Sequence, residues 1–356
     1  YIAEVHAYLA FRLTGHWVTS TASADPTGAL DMKKHAWSDE VLSAAGIDRS
    51  KMPRLVAPGT PMGEVTSAAA AATGLKPGTP VIAGGGDGQC AGAAAGVGAP
   101  GLAYVNLGTA VVSGSYGAEY AHDRAFRTEI AVADRGYIFE TCMRSGTFLV
   151  DWLSRELFLA DPAQKQGLLQ TLESEAAASP IGAGGVVLVP YWQGCMTPHW
   201  DSTARGIIAG LSGSTHRGDI YRALLEGVAL EQAICTNQAE QATRVKIDRY
   251  VAIGGGAASD LWAQILADAT ARPVLRSTTV EASSLGAAMA AAKGCGWFPT
   301  FPAASAAMAG ETVRTFEPDA KRSARYAELR AIYADLWPAM SAWNARMAAF
   351  VEGGHG

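Results

Sequence analysis

Apolar positions along this 356-residue chain follow two rhythms. Short unbroken runs bounded by glycine or proline recur at residues 81–83, 102–107, 110–112, 185–190 and 249–253, the pattern of buried strands. Between them, apolar residues recur every three or four positions and predict helices. Residues 1–13 place Ile2, Val5, Leu9 and Leu13 on one face and stop at Thr14-Gly15, with no capping lead-in. Ser38 caps a helix over 39–45, and an alanine-rich helix over 65–73 ends at Gly74. Residues 17–29 read as a polar loop, and 52–63 as extended and turn-rich. Further on, 129–133 and 137–142 read as strands, 148–158, 162–178 and 219–242 as helices, and 191–206 as an irregular aromatic loop. A strand at 249–253 runs directly into a helix at 260–270. A short strand at 273–275, a small-residue helix at 284–293 and a charged helical tail at 318–347 complete an α/β chain.

The stretch 81–117 concentrates the candidate chemistry. A strand ends in Gly84-Gly85-Gly86 and the carboxylate of Asp87, and a close-packed helix follows over 90–97. Pro100-Gly101 turns into the 102–107 strand, which ends in Gly108-Thr109. A carboxylate at a strand end accepts a proton from a substrate hydroxyl. A Gly-Thr turn offers bare N–H groups and a hydroxyl to phosphate oxygens. On spacing alone, a second account stands equally well: the glycines make tight turns and Asp87 caps the helix. Residues 254–257, GGGA, repeat the strand–turn–helix logic and present a helix N-terminus, a ready anion site. Neither the P-loop spacing nor the dinucleotide glycine fingerprint occurs.

Composition narrows the field. Apolar residues make up 49% and charged residues 17%, ordinary for a chain with sizeable cores. With a net charge of −5 and no long basic run, nothing points to nucleic acid or an anionic membrane surface, and no apolar run reaches the ~18 residues of a membrane span. The five cysteines are scattered, with no metal-binding spacing, which suits a reduced, cytoplasmic setting.

These pieces together resemble the FGGY family of carbohydrate kinases, in the actin-like/sugar kinase/Hsp70 superfamily. The carriers are VIAGGGDGQCAGAAAGVG at 81–98, PHWDSTARGIIAGLSGSTHRGDIYRALLEGVALEQA at 198–233, and IGGGAASDLWAQILADATARPV at 253–274 with EASSLGAAMAA at 281–291. The opening YLAFRLTG and DMKKHAWSDEVL are similar to the end of that family's first lobe. The resemblance implies a two-lobed ribonuclease H-like architecture, with 1–97 the remainder of the first lobe and 98–356 the second. It implies ATP-dependent phosphorylation of a small sugar, nearest to the xylulokinase group and so to a ketopentose. Ribulose, glycerol or gluconate as substrate, and a non-catalytic nucleotide or sugar binder, are the alternatives.

Residue by residue, the resemblance makes Asp87 the general base. Gly108 and Thr109 form the turn around the β- and γ-phosphates of ATP, carried with Mg2+. Gly254, Gly255, Gly256 and Ala257 cradle the α-phosphate and ribose, with Ser259 near the adenine and Gly146 bordering the nucleotide. No protein metal ligand is assigned. Arg205 is read as an ion-pair partner, and His199 and Trp200 as packing residues. Partners are sugar and MgATP, with room for a homodimer. The superfamily's D-x-G-T hairpin is not found in these residues, so the first lobe reads as incomplete and the chain as a fragment. Such a fragment is expected to be a poor kinase alone.

Overall fold

The computed structural model describes every residue except 134, 159–162, 164, 280 and 354–356. Its centre is a seven-stranded mixed sheet. From one edge the strands run Thr312–Phe316, Val274–Ser277, Ile247–Ile253, Gly101–Leu107, Val111–Gly117, Tyr137–Met143 and Arg127–Ile130. Ile247–Ile253 lies parallel to both of its neighbours, and the remaining pairs are antiparallel. Apolar residues on both faces of Gly101–Leu107 make it a central strand. Ala103, Val105 and Leu107 join one core with Leu224 and Val228 of the long helix Arg217–Thr243 and with Trp262 of Asp260–Thr270. Tyr104 turns to the other core, with Cys90, Ala91 and Met289.

That second face carries two short-side-chain helices, Asp87–Ala94 and Ala282–Gly294. They cross so closely that a Cβ on Gly286 would overlap the carbonyl of Cys90. The small residues evident in both segments permit this approach. On the first face, the tail folds as two helices, Ala320–Ala334 and Leu336–Gly353. Tyr326 and Tyr333 donate hydrogen bonds to Glu226 (2.9 Å) and Glu231 (2.9 Å) of the long helix, so its buried acids are satisfied.

Residues 1–97 form a smaller layer built on paired strands. Val18–Ser20 runs parallel to Arg54–Val56, Leu30–Asp31 pairs with Ala36–Trp37, and Pro61–Glu64 pairs with Pro80–Ile82. Several expectations need correction here. Residues 17–29 are not a polar loop: Val18–Ser20 is a fully buried strand, followed by helical turns Thr21–Ala24 and Asp25–Thr27. Pairing with Arg54–Val56 overrides the local polarity. The first helix, Val5–Thr14, does have a cap, because the Glu4 carboxylate accepts from Ala7 N at 3.0 Å. It buries Ala7, Ala10 and Thr14 and leaves Val5 and Leu9 exposed, since the small face fits closer to the strands.

Elsewhere the helix expected from 90 starts at Asp87, and that expected over 148–158 is Thr147–Trp152 followed by a wider π turn, Leu153–Leu157. The start of the 162–178 helix lies outside the described residues; Lys165–Ala178 is helical. A helix, Phe301–Met308, and the edge strand Thr312–Phe316 fill a stretch without an expected element.

Candidate active site

Three glycines set the position of Asp87. The turn 84–86 is pinned by a hydrogen bond from Gly86 N to Ala22 O (3.0 Å), and a Cβ on Gly85 would overlap Val132. Asp87 then opens the Asp87–Ala94 helix, exposed, with its Oδ1 accepting from Gly88 N at 2.9 Å. An acid in a helix's first turn sits at the positive end of the dipole. Ser283 donates to the Asp87 carbonyl at 2.9 Å and ties the turn to the Ala282–Gly294 helix. Gly86 is the cap residue and no side-chain capping bond is made, so Asp87 does not cap this helix; it occupies the first helical position with its carboxylate accessible.

Beside it is a cavity of about 170 Å³ lined by Asp87, Tyr104, Asn106, Arg127, Glu140 and Ser283, among others. Its floor is charged. Arg127 binds Glu140 through both Nε (3.0 Å) and Nη2, and Nη2 also lies 3.1 Å from Glu129. Tyr104 donates to the other Glu140 oxygen at 3.4 Å. Burial raises the carboxyls of Glu140 and Glu129 above the usual range, with the neighbouring Glu140 charge adding to the rise at Glu129. One guanidinium thus balances two buried acids near Asp87.

The phosphate candidates converge at the carboxyl ends of the two central parallel strands. Gly108-Thr109 joins Gly101–Leu107 to Val111–Gly117, and Thr109 is exposed. Gly146 N donates to Thr109 O and Thr147 N to Gly108 O, each at 2.7 Å. A Cβ on Gly146 would meet the Gly108 carbonyl at 2.5 Å, so only glycine lets the two turns touch. From the adjacent strand, Gly254 adopts φ +83° and Gly256 packs on Leu107. Gly255 is exposed and faces open space. Asn106 links the two halves of the site. It lines the Asp87 cavity, and its Oδ1 lies where a Cβ on Gly254 would stand.

Three details differ from the sequence reading. The helix does not follow the second glycine turn directly, because a 3₁₀ turn, Gly255–Ala258, intervenes. Ala257 is buried and presents only backbone, while Ser259 caps Asp260–Thr270 through Trp262 N (3.0 Å) and donates to Glu173 (3.0 Å). Arg205 pairs with no carboxylate among the described residues; it donates to the carbonyls of Ser202, Thr203 and Ala204 at 2.9–3.3 Å and closes its own loop. His199 stacks on Trp337 at 4.9 Å and Trp200 donates to Arg124 O at 2.7 Å, the packing roles expected of them. Sequence reasoning passed over Asn106, Arg127, Glu129 and Glu140. Their signal was a polar residue inside each of three strand patterns.

Residues 1–94 match the FGGY family of carbohydrate kinases, N-terminal domain, and residues 103–295 match that family's C-terminal domain. The chain belongs to the FGGY family of carbohydrate kinases. It is 31% identical to the xylulose kinase of Bacillus subtilis over 96% of this chain and 68% of that protein. It is 32% identical to the glycerol kinase of Citrifermentans bemidjiense over 90% of this chain and 63% of that protein. Among solved structures, the xylulose kinase of Rhodospirillum rubrum superimposes with a TM-score of 0.85 at 28% identity, covering 95% of this chain and 67% of that one. The gluconate kinase of Lactobacillus acidophilus shares the fold, with a TM-score of 0.88 at 22% identity, covering 97% and 69%. The chain spans 60–68% of the length of the FGGY relatives it matches. Apart from the edge strand Thr312–Phe316, the seven-stranded sheet accordingly falls almost wholly within the stretch that matches the C-terminal domain of FGGY kinases.

Proposed function

We propose that this chain serves in ATP-dependent phosphorylation of a small sugar, with a ketopentose such as xylulose as the acceptor. The supporting observation is that the cavity wall carrying Asp87 also carries Asn106, which lies against Gly254 and stands two residues before the Gly108-Thr109 turn that Gly146 packs on. In this reading Asp87 and the two glycine turns serve one cleft, with Asn106 between them. The lobes are assigned to 1–97 and 98–356, in a cytoplasmic protein.

In this reading the sugar hydroxyl gives its proton to the Asp87 carboxylate as its oxygen attacks the γ-phosphorus, and the bond to the β-phosphate oxygen breaks. Thr109 and the N–H groups of 108–109 hold the terminal phosphates. The Gly254–Ala257 turn holds the α-phosphate and ribose through the first N–H groups of a helical turn, which lack intrahelical partners. Glycine at 254 and 255 lets phosphate approach backbone. Ser259 and Gly146 border the nucleotide. Mg2+ arrives with ATP and offsets phosphate charge; among the described residues no group of three acids, histidines or cysteines could hold it. The protein's contribution is positioning and charge stabilisation.

The xylulose kinases at 28–31% identity favour the ketopentose; the glycerol kinase at 32% keeps glycerol as the second reading. ADP release measured with xylulose, ribulose, glycerol and gluconate separates them. Turnover highest with xylulose is expected. Turnover with glycerol alone replaces the acceptor, and nucleotide binding with no sugar-dependent release replaces kinase activity by a binding role.

A further inference from the structure

Asp25 stands at a junction of three pieces of the fold. It opens the short turn Asp25–Thr27 in the first lobe. Its Oδ2 accepts from Gln89 Nε2 of the Asp87–Ala94 helix at 3.0 Å and from Ile130 N of the edge strand Arg127–Ile130 at 2.7 Å. The same Gln89 nitrogen donates to Ala22 O at 2.9 Å, the carbonyl that also holds Gly86 N. Gln89 itself is buried and folds back over Gly86, where its Oε1 occupies the space of a Cβ. The edge strand that Asp25 grips carries Arg127, which lines the Asp87 cavity, and Glu129, which pairs with that arginine.

We propose that Asp25, acting through Gln89, is a positioning residue for Asp87: it fixes the first turn of the base-bearing helix against the edge strand of the second-lobe sheet. This rests on the kinase reading of Asp87. The glycine turn 84–86 has no side chain of its own with which to hold a conformation, so the position of the base is set by what grips the turn from outside. Three contacts do so: Ala22 O, Gln89 and, behind Gln89, Asp25. One Asp25 oxygen takes both N–H donors, so a single side chain joins the helix to the edge strand. Both donors meet the same oxygen, so an asparagine amide oxygen can replace it, whereas alanine removes both bonds and leaves Gln89 with one acceptor.

The test compares Asp25→Ala, Asp25→Asn and Gln89→Leu with the parent protein. Readouts are kcat and KM for sugar and ATP, thermal midpoint, and amide hydrogen exchange over 86–90 and at Ile130. Misplacing a catalytic group by about 1 Å costs up to about 10²-fold. The expected result is a kcat lowered at least about tenfold in Asp25→Ala and Gln89→Leu, KM for ATP within about twofold, and recovery of most of the kcat in Asp25→Asn. Exchange over 86–90 rises in Asp25→Ala and returns to the parent rate in Asp25→Asn. Both disruptive variants keeping kcat within about twofold overturns the inference, as does unchanged exchange in Asp25→Ala. If the parent itself turns over no sugar, the kinase reading fails, and the exchange comparison alone decides whether Asp25 holds the helix.

Discussion

At the scale of single residues, the site depends on positions where a side chain is excluded. Gly254 combines φ +83° with ψ 169°, a region open essentially to glycine alone, and a Cβ there would overlap Asn106 Oδ1. Gly254→Ala is therefore expected to cost about 1–3 kcal/mol of backbone strain and to displace Asn106. Calorimetric titration with MgADP should show at least about tenfold weaker binding; affinity equal to the parent would separate Gly254 from the nucleotide. The position of Asp87 and of the glycine clusters at strand ends was legible in the sequence, because short apolar runs there give way directly to glycine. Asn106 and Glu140 were not, because each sits in a run read as a buried strand, and Arg127 was not, because it lies before the expected strand at 129–133. Only the register of Tyr137–Met143 against Arg127–Ile130, which sets Glu140 opposite Arg127, reveals the ion pair.

At the scale of elements, the helix Asp87–Ala94 is placed by its packing on Ala282–Gly294. Overpacking a close helix crossing costs typically about 1–3 kcal/mol. Gly286→Leu should accordingly lower the thermal midpoint by several degrees and reduce kcat more than affinity for MgADP, because it pushes Asp87–Ala94 and spares the glycine turn at 254–257. An unchanged kcat in a folded Gly286→Leu protein would show that the helix position is not critical. Much of the chain after 98 was readable from periodicity: Asp260–Thr270 has the expected bounds and Arg217–Thr243 and Ala282–Gly294 shift by a few residues, whereas Phe301–Met308 and Thr312–Phe316 were not foreseen. Residues 17–29 misled because Thr19, Ser20 and Thr21 are buried polar residues whose setting comes from a partner strand about 35 positions away. The exposed Val5 and Leu9 misled for the complementary reason, since close packing selected the alanine face.

At the scale of the whole molecule, buried acids tie distant parts together and make stability depend on pH. Burial raises Asp25 to about 7 and lifts Glu129, Glu140, Glu226 and Glu231 above the usual range. Each holds its proton in the fold at a pH where the unfolded chain has lost it. Their neutral forms therefore favour folding below about pH 4, and that advantage is lost as pH rises through the folded values. The thermal midpoint should fall between pH 5 and pH 8, and Asp25→Asn should flatten the part of the fall below about pH 7. A midpoint that rises across this range contradicts the assignment. No helix among the described residues is long and apolar enough to cross a membrane, and the charge balance of the chain is mildly acidic. The central claim is that Asp87 is the base in a cleft whose nucleotide turns are built separately from it. The direct measurement is sugar-dependent ADP release by Asp87→Asn beside the parent, with MgADP affinity measured on both. The account predicts a kcat at least about 10²-fold lower in the variant with nucleotide affinity unchanged. Near-parental turnover in a folded Asp87→Asn protein would contradict it.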